Sequence, residues 1–561
     1  MRVLARTAAA ALVAAALSAT PAAAATPADP CATPPTHRIS EVQGSGDATP
    51  LAGQTVRVEG VVTGDFQRSD QLSGFFLQDP APDADPATSE GLFAFARDTV
   101  KDVQPGDRVL VTGRAFEFNG WTELSPVSAV DVCGAGAVPA LPYRLPSAGL
   151  EHVENMLLTF RQPLTVSDHY NLGRFGEVTV SSGGRLFQPT DRPGVDPELN
   201  RRRSLLIDDG STRQNPGTLP PVVRAGAVAV GATGVLGYGF DAYRLQPTKP
   251  VTYLNANPRP PRPLPVGGNV KVASFNTLNW FTTLGSRGAT TAEEQQRQLA
   301  KLVAALKGLD ADAVALMEVE NNGQTALEAL VDAVNAEVGP GTYAALKHPH
   351  PGTDAIQVGL IYKPARLTPV GEPRASQDPV FSRPPLVQTF RRAEGGRPFT
   401  MVVNHLKSKG SCPSGGGPDA DQGDGQGCWN ATRVRQAQAL LGLVADLPGP
   451  LVLGDLNAYG EEDPIDTLQA GGLTSVTKRF VPARQRYSYV FDGLAGELDH
   501  ALVGRDLLRR VTGATIWHVN ADEPRVLDYN TEFNPPGLYR PDAYRSSDHD
   551  PLVVGLSLPR R

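Results

Sequence analysis

The segment NPRPPRPLP, residues 257–265, divides this chain into two kinds of sequence that no single fold can contain. Proline at this density cannot sit inside a helix or in the middle of a sheet, so the stretch reads as a semi-rigid, extended linker. Before it, short apolar runs are separated by Gly, Asp and Pro turns. After it, strand patterns alternate with amphipathic helical ones. The change predicts β domains over residues 26–140 and 141–256, a Pro-rich linker over 257–267 and an α/β domain over 268–561. A chain of 561 residues is in any case too long for one core.

Residues 1–25 are expected to stay outside every domain. Arg2 and Arg6 precede an Ala/Leu/Val run that ends in small residues at 22–25, the layout of a secretory signal peptide. The run is short for a membrane span and no later stretch is apolar enough for one, so a secreted, soluble protein with no membrane association is expected. Losing Arg2 and Arg6 moves the formal net charge from −7 to −9. That excludes a generally basic nucleic-acid scaffold but not an enzyme whose cations are gathered in a groove. Export favours disulfides, and the cysteines number four, Cys31, Cys133, Cys412 and Cys428. Of the three possible pairings, Cys31–Cys133 with Cys412–Cys428 respects the domain boundaries. No cysteine pair has zinc-ligand spacing with a nearby histidine.

Within 26–140, runs at 56–62, 74–78 and 107–113 read as strands between tight turns, which fits a small Greek-key barrel of OB type. Phe75, Phe76, Phe116, Phe118 and Trp121 can be core or can form a stacking platform for single-stranded nucleic acid, core being the commoner fate. In the second β domain, strands are expected at 156–160, 177–180 and 228–234. Arg201, Arg202 and Arg203 form a basic run that reads as a solvated loop or a phosphate contact.

Beyond the linker, the strand at 270–275 delivers Asn276 and Asn279. Thr291 and Glu294 form a capping box ahead of Leu299, Leu302, Val303 and Leu306 at helical spacing. The strand at 313–317 has Glu318 at its C-terminal end, a helix follows over about 325–337, and the strand at 357–362 comes next. The strand at 399–404 ends at His405, and Asn430 caps a helix running to Val444. The run LVLGDLN, residues 451–457, ends in Asp455 and Asn457, and Asp499 stands in the strand at 498–503. Asp548 and His549 precede a terminal apolar strand. Asp455 and Asn457 alone could be a turn whose side chains bond nearby amides. Asn276, Glu318, His405, Asp455, Asn457, Asp499, Asp548 and His549, all at or beside strand ends in one domain, are better explained by a shared site, because buried acids are rare unless paired or metal-bound.

The set SFNTLN (274–279), LMEVEN (316–321), NHLKSK (404–409), GDLN (454–457), LDH (498–500) and SDHDP (547–551) resembles the endonuclease/exonuclease/phosphatase superfamily, the DNase I-like fold. The chain is more closely similar to secreted bacterial nucleases of the ExeM/NucH type. The resemblance implies a multidomain protein in which an N-terminal all-β, OB-like region precedes a four-layer α/β sandwich. It implies that Glu318 holds Mg²⁺ or Mn²⁺ with Asn276, Asp499 or Asp548, and that Asp455 and Asn457 orient water and the scissile phosphate. His405 and His549 would handle protons, with Asp499 and Asp548 beside them. Arg383 resembles a phosphate-contacting arginine, and Asn279 and Asp354 fall on the substrate side. One departure stands out. Where the family pairs the His405 equivalent with a glutamate, this chain has Ile356, and Asp354 is the nearest substitute. Asp419, Asp421 and Asp424 could bind Ca²⁺. The implied function is metal-dependent hydrolysis of phosphodiester bonds in extracellular DNA or RNA, with nucleic acid as partner and no obligate protein partner. The alternatives are a phosphodiesterase or phosphatase of the same fold on another substrate, or a catalytically weak nucleic-acid-binding protein. All the chemistry is expected from about Gly267 onward, the β domains adding affinity.

Overall fold

The computed structural model describes residues 30–215, 219 and 221–559; the expected signal peptide lies outside them. Five strands close a barrel in the order Thr55–Phe66, Gly74–Gln78, Gly91–Ala94, Trp121–Ala135, Asp107–Phe118. Alternate residues such as Val56 and Val58, or Val109 and Val111, fill its interior with Phe75, as the period-two pattern requires. The strands at 91–94 and 121–135 escape a reading of the sequence because one has four residues and the other contains Pro126. A disulfide joins Cys31 to Cys133, with Cα atoms 5.6 Å apart. Phe76 faces away from the barrel interior but is buried with Phe66, Phe93 and Val235 in a seam against the second sheet. Trp121 stacks on Phe93 there at 4.4 Å. Of the five aromatics offered as platforms, only Phe116 and Phe118 stay open to solvent, at 41% and 54%.

A nine-stranded sheet takes up most of residues 141–254. The run at 228–234 is two strands rather than one, Val228–Val230 and Ala232–Gly239, because Gly231 between them adopts φ +62. The arginine run is neither a loop nor a free phosphate contact. Arg201 and Arg202 end the helix Pro197–Arg202. Arg201 pairs with Glu198, Arg202 donates to the Ser147 carbonyl, and Arg203 donates to the carbonyls of Ser182, Gly184 and Arg185.

The C-terminal half holds two six-stranded sheets packed face to face. Helices Ala292–Leu309 and Thr325–Val338 cover one sheet. Helices Asn430–Val444 and Asp463–Ala470 cover the other, giving four layers. Thr291 caps its helix by accepting the Glu294 amide, but the expected reciprocal bond is absent: the Glu294 carboxylate bonds Thr290 and Thr531 instead.

Strand parity decides what emerges at the end of the inter-sheet layer. Leu451 and Leu453 point between the sheets and Val452 toward the helices, so Asp455 continues the inter-sheet row. The same count carries Val270 and Val272 to Asn276, Phe399, Met401 and Val403 to His405, and Val503 and Ala501 back to Asp499. Glu318 breaks the count. Ala313, Ala315 and Met317 lie between the sheets, yet Val319 faces the helices, and the pairing register shifts around Glu318, which adopts φ +62. A bulge inside the strand Ala313–Glu320, rather than a strand end, turns this glutamate inward.

The Pro-rich linker is docked along its length. Arg259 pairs with Glu523 at 2.7 Å, Trp517 donates to the Pro260 carbonyl, and Arg224 donates to the carbonyls of Asn257 and Pro258. Asp522, fully buried, ties three regions together: Arg185 at 2.7 Å and Arg224 at 3.3 Å from the second sheet, Asn257 at 2.8 Å from the linker, and the Tyr487 hydroxyl at 3.0 Å. Burial alone would raise its carboxyl, but Arg185 and Arg224 hold it at about 2. Asp522→Ala leaves Arg185 buried without its carboxylate, while Arg224 keeps Glu523 at 3.0 Å, and loss of one partner of a buried pair costs about 3–5 kcal/mol. We expect urea unfolding to shift by that amount and the second sheet and C-terminal domain to lose their common transition. An unchanged midpoint would contradict the coupling.

Candidate active site

The polar row opens into a cleft of about 650 Å³ at one end of the two sheets. At its floor the Asn276 amide donates to Glu318 Oε1 at 3.1 Å and to Asp455 Oδ2 at 3.3 Å. The backbone amide of Asn279 donates to Glu318 Oε2 at 2.9 Å. Asp455 Oδ1 accepts the Asn457 amide at 2.9 Å, and Asn457 Nδ2 donates to the Leu406 carbonyl. The turn and the site are therefore the same feature: the Asp-x-Asn turn fixes the carboxylate that the cleft displays.

Burial pushes Glu318 up to about 7, with the nearby Asp548 carboxylate adding to the shift, and burial pushes Asp455 up to about 6. Two carboxylates that resist ionisation this close together are placed for a cation. Glu318, His405 and Asp455 present ligand atoms within 4.8 Å of one another, the one such grouping among the described residues. Carboxylate oxygens on Glu318 and Asp455, with Asp548 in the same cleft, suit a hard divalent ion.

The two histidines flank the same oxygen, Asp455 Oδ2, at 3.4 Å for His405 Nε2 and 3.9 Å for His549 Nε2. They are held in opposite states. Burial and the Arg383 guanidinium hold His405 well below its ordinary range, and its Nε2 accepts from Arg383 at 3.3 Å. For His549 burial alone would lower the ring, but the carboxylates of Asp499 and Asp455 raise it well above that range. Asp499 Oδ2 lies 2.7 Å from His549 Nδ1 and also accepts the Ser488 hydroxyl at 2.7 Å. Tyr489 stacks on the His549 ring at 4.6 Å.

Several expectations require correction. Asp354 does not replace the missing glutamate beside His405. It pairs with Arg287 at 3.0 Å and lies 4.0 Å from Arg383 Nε, while His405 Nδ1 is buried with no partner. Arg383 is buried, donating to His405 and to the Leu406 carbonyl, so it braces the histidine. Asp499 Oδ2 is taken up by His549 and Ser488, while its Oδ1 is buried with no partner. Asn430 is not the helix cap. Asp419 takes that place, accepting the Thr432 amide and hydroxyl at 2.8 Å and pairing with Arg435. Asp421 and Asp424 bond amides of their own loop, so the three acids form no Ca²⁺ cage. That loop is closed by Cys412–Cys428 and borders the cleft through Gly425 and Gly427. Ser488 and Tyr489 went unnoticed because they stand in the three-residue strand Tyr489–Phe491 and its lead-in, with no polar strand end to mark them.

Residues 273–549 match the model of the Endonuclease/Exonuclease/phosphatase family. The match covers nearly all of the C-terminal domain. Solved structures similar to it include the human Nocturnin catalytic domain, 19% identical over 52% of this chain and 94% of that one, TM-score 0.34. An endonuclease/exonuclease/phosphatase family protein from Bacteroides thetaiotaomicron is 17% identical over 51% and 96%, TM-score 0.35. Humanized D. rerio TDP2 is 14% identical over 51% and 97%, TM-score 0.35. No curated protein matches the chain. Members of the endonuclease/exonuclease/phosphatase family are hydrolases acting on phosphodiester bonds, generally with divalent metal ions. The Glu318–Asp455 floor fits such an ion.

Both carboxyls sit above the ordinary carboxylate range of about 4, so their protonation favours the fold. That stabilisation is complete below pH about 4 and is lost as pH rises through about 6 to 7. The metal-free protein should lose Tm over this range, and Mg²⁺ should raise Tm more at pH 8 than at pH 5. Glu318→Gln should flatten both responses. Equal Mg²⁺-induced rises at the two pH values would count against a cation at these acids.

Proposed function

We propose that the protein is an exported, metal-dependent nuclease that hydrolyses phosphodiester bonds in nucleic acid, with DNA as the first substrate to test. The observation that carries this reading is one cleft with an oxygen-rich floor, in which His405 and His549 flank the same oxygen of Asp455. Glu318 and Asp455, with Asn276 and Asp548 beside them, would hold Mg²⁺ or Mn²⁺, which when bound screens the phosphate and stabilises charge on the leaving oxygen. Asp455 and Asn457 orient the attacking water and the phosphate. His549, raised by Asp499, donates a hydrogen bond to a phosphate oxygen and can protonate the leaving oxygen; His405, lowered by burial and by Arg383, stands with an uncharged ring on the other side of Asp455 Oδ2. Asn279 borders the cleft beside them.

The barrel order 1-2-3-5-4 supports an OB-type domain. Phe116 and Phe118 are the rings free to meet a single strand. Two disulfides suit an oxidising compartment. Among the described residues no helix is long and apolar enough to cross a membrane.

Purified protein assayed on plasmid DNA, RNA and a phosphodiester lipid, with and without EDTA, tests the reading. Cleavage of nucleic acid should vanish in EDTA, and Glu318→Gln should nearly abolish it without unfolding the protein. His549→Ala should lower kcat by about 10²–10⁴. Asp499→Asn removes the carboxylate that raises His549, so the alkaline limb of the kcat profile should move to lower pH. Full activity in EDTA, or an unmoved limb, would defeat the assignment.

A further inference from the structure

The catalytic cleft is bordered by a residue that precedes the linker. The strand Leu186–Phe187 leaves the second β sheet and pairs in parallel with Leu494–Gly496, which pairs in turn with Tyr489–Phe491. The segment that follows is seated on both sides of the cleft. Gln188 donates its backbone N–H to the Ala495 carbonyl at 2.9 Å, and Asp191 accepts the Glu497 backbone N–H at 2.8 Å. Thr190 donates to Glu462 at 2.8 Å, and Glu462 clamps Lys409 at 2.5 Å. Asp191 and Glu462 are both fully buried, so this seating is a packed interface and not a surface touch.

Gln188 lines the cleft, and its carboxamide has no hydrogen-bond partner among the described residues. Phe491, on the same three-stranded sheet, lines the cleft while 54% exposed. The charge nearby is cancelled: Lys409 donates to both Glu462 oxygens and to the Gln426 carbonyl, which uses all its protons. This wall therefore offers an unpartnered carboxamide and an open aromatic face, with no free cation for a phosphate. A carboxamide reads the paired donor and acceptor on a base edge, and a ring stacks on a base face.

We propose that residues 186–192 are built into the catalytic cleft, and that Gln188 and Phe491 form a subsite for the nucleobase next to the scissile phosphodiester. The subsite rests on the nuclease reading above. It makes part of the N-terminal β region a specificity element of the active site, instead of an affinity module that could be removed.

The test is steady-state kinetics on the full chain with a single-stranded oligonucleotide of whichever sugar type is cleaved faster. The same strand carrying abasic residues beside the cleaved phosphodiester serves as its partner substrate. Gln188→Ala should raise KM on the base-bearing strand about 3–10-fold, the loss of one neutral hydrogen bond. Phe491→Ala should raise it about tenfold. Gln188→Glu, which keeps the side-chain length but removes the amide donors, should act in the same direction. On the abasic strand these increases should disappear, and the native enzyme should bind that strand as weakly as the variants bind the normal one. Unchanged KM for both alanine variants while cleavage persists overturns the subsite alone. An equal rise on both strands shows a structural effect and overturns base recognition. Native protein that cleaves neither strand yet hydrolyses bis(4-nitrophenyl) phosphate overturns the nucleic-acid reading together with the subsite.

Discussion

Two carboxylates, Glu318 and Asp455, share one amide donor, Asn276, at the buried end of a layer between two sheets. Desolvation of this kind is unfavourable for an ionised acid, and the neighbouring elements are arranged around it. The bulge at Glu318, the turn at Asp455 and the left-handed backbone at Asn279 and Asn457 each aim a polar group at the same place. Non-glycine residues in left-handed conformations cost roughly 1–3 kcal/mol each and persist only where the surroundings over-determine them. Here the over-determination comes from the sheets, whose apolar rows lock the strands in register up to the last residue before the cleft.

The asymmetry of the two histidines follows from what stands behind each ring. A carboxylate, Asp499, is behind His549, and a guanidinium, Arg383, is in front of His405. Burial with Arg383 lowers one ring and the carboxylates raise the other, around a single acceptor oxygen. The isoleucine at 356, where a carboxylate behind His405 would be expected, is consistent with this division: an acid there would oppose the lowering that burial and Arg383 impose.

Strand parity is local, so Asn276, His405, Asp455 and Asp499 could be placed from sequence by counting alternate residues along apolar runs. The four-layer α/β half was legible for the same reason, its periodicities being long and regular. What escaped depends on partners far away in the chain. Nothing in EVE at 318–320 says that a bulge turns Glu318 inward, or that Glu320 serves the loop at Thr282 and Thr283. Asp354 stands at the right sequence offset to replace a missing partner, but Arg287 claims it. Asp419 reads as a metal ligand in an acidic loop and proves to be a helix cap eleven residues before the helix starts. The arginine run at 201–203 reads as a solvated loop, yet Arg202 and Arg203 are taken up by carbonyls.

The parallel pairing of Leu186 with Leu494 also has a consequence for the order in which the molecule can be assembled. It joins strands separated by roughly 300 residues, and the entropy of closing such a loop must be met before the contact is rewarded. The barrel and the paired sheets can each collapse on nearer contacts, but the wall that carries Gln188 exists only once the chain has been made through Gly496. Competence at the cleft is therefore acquired late, and a truncated or half-emerged chain can hold folded domains while lacking the finished site.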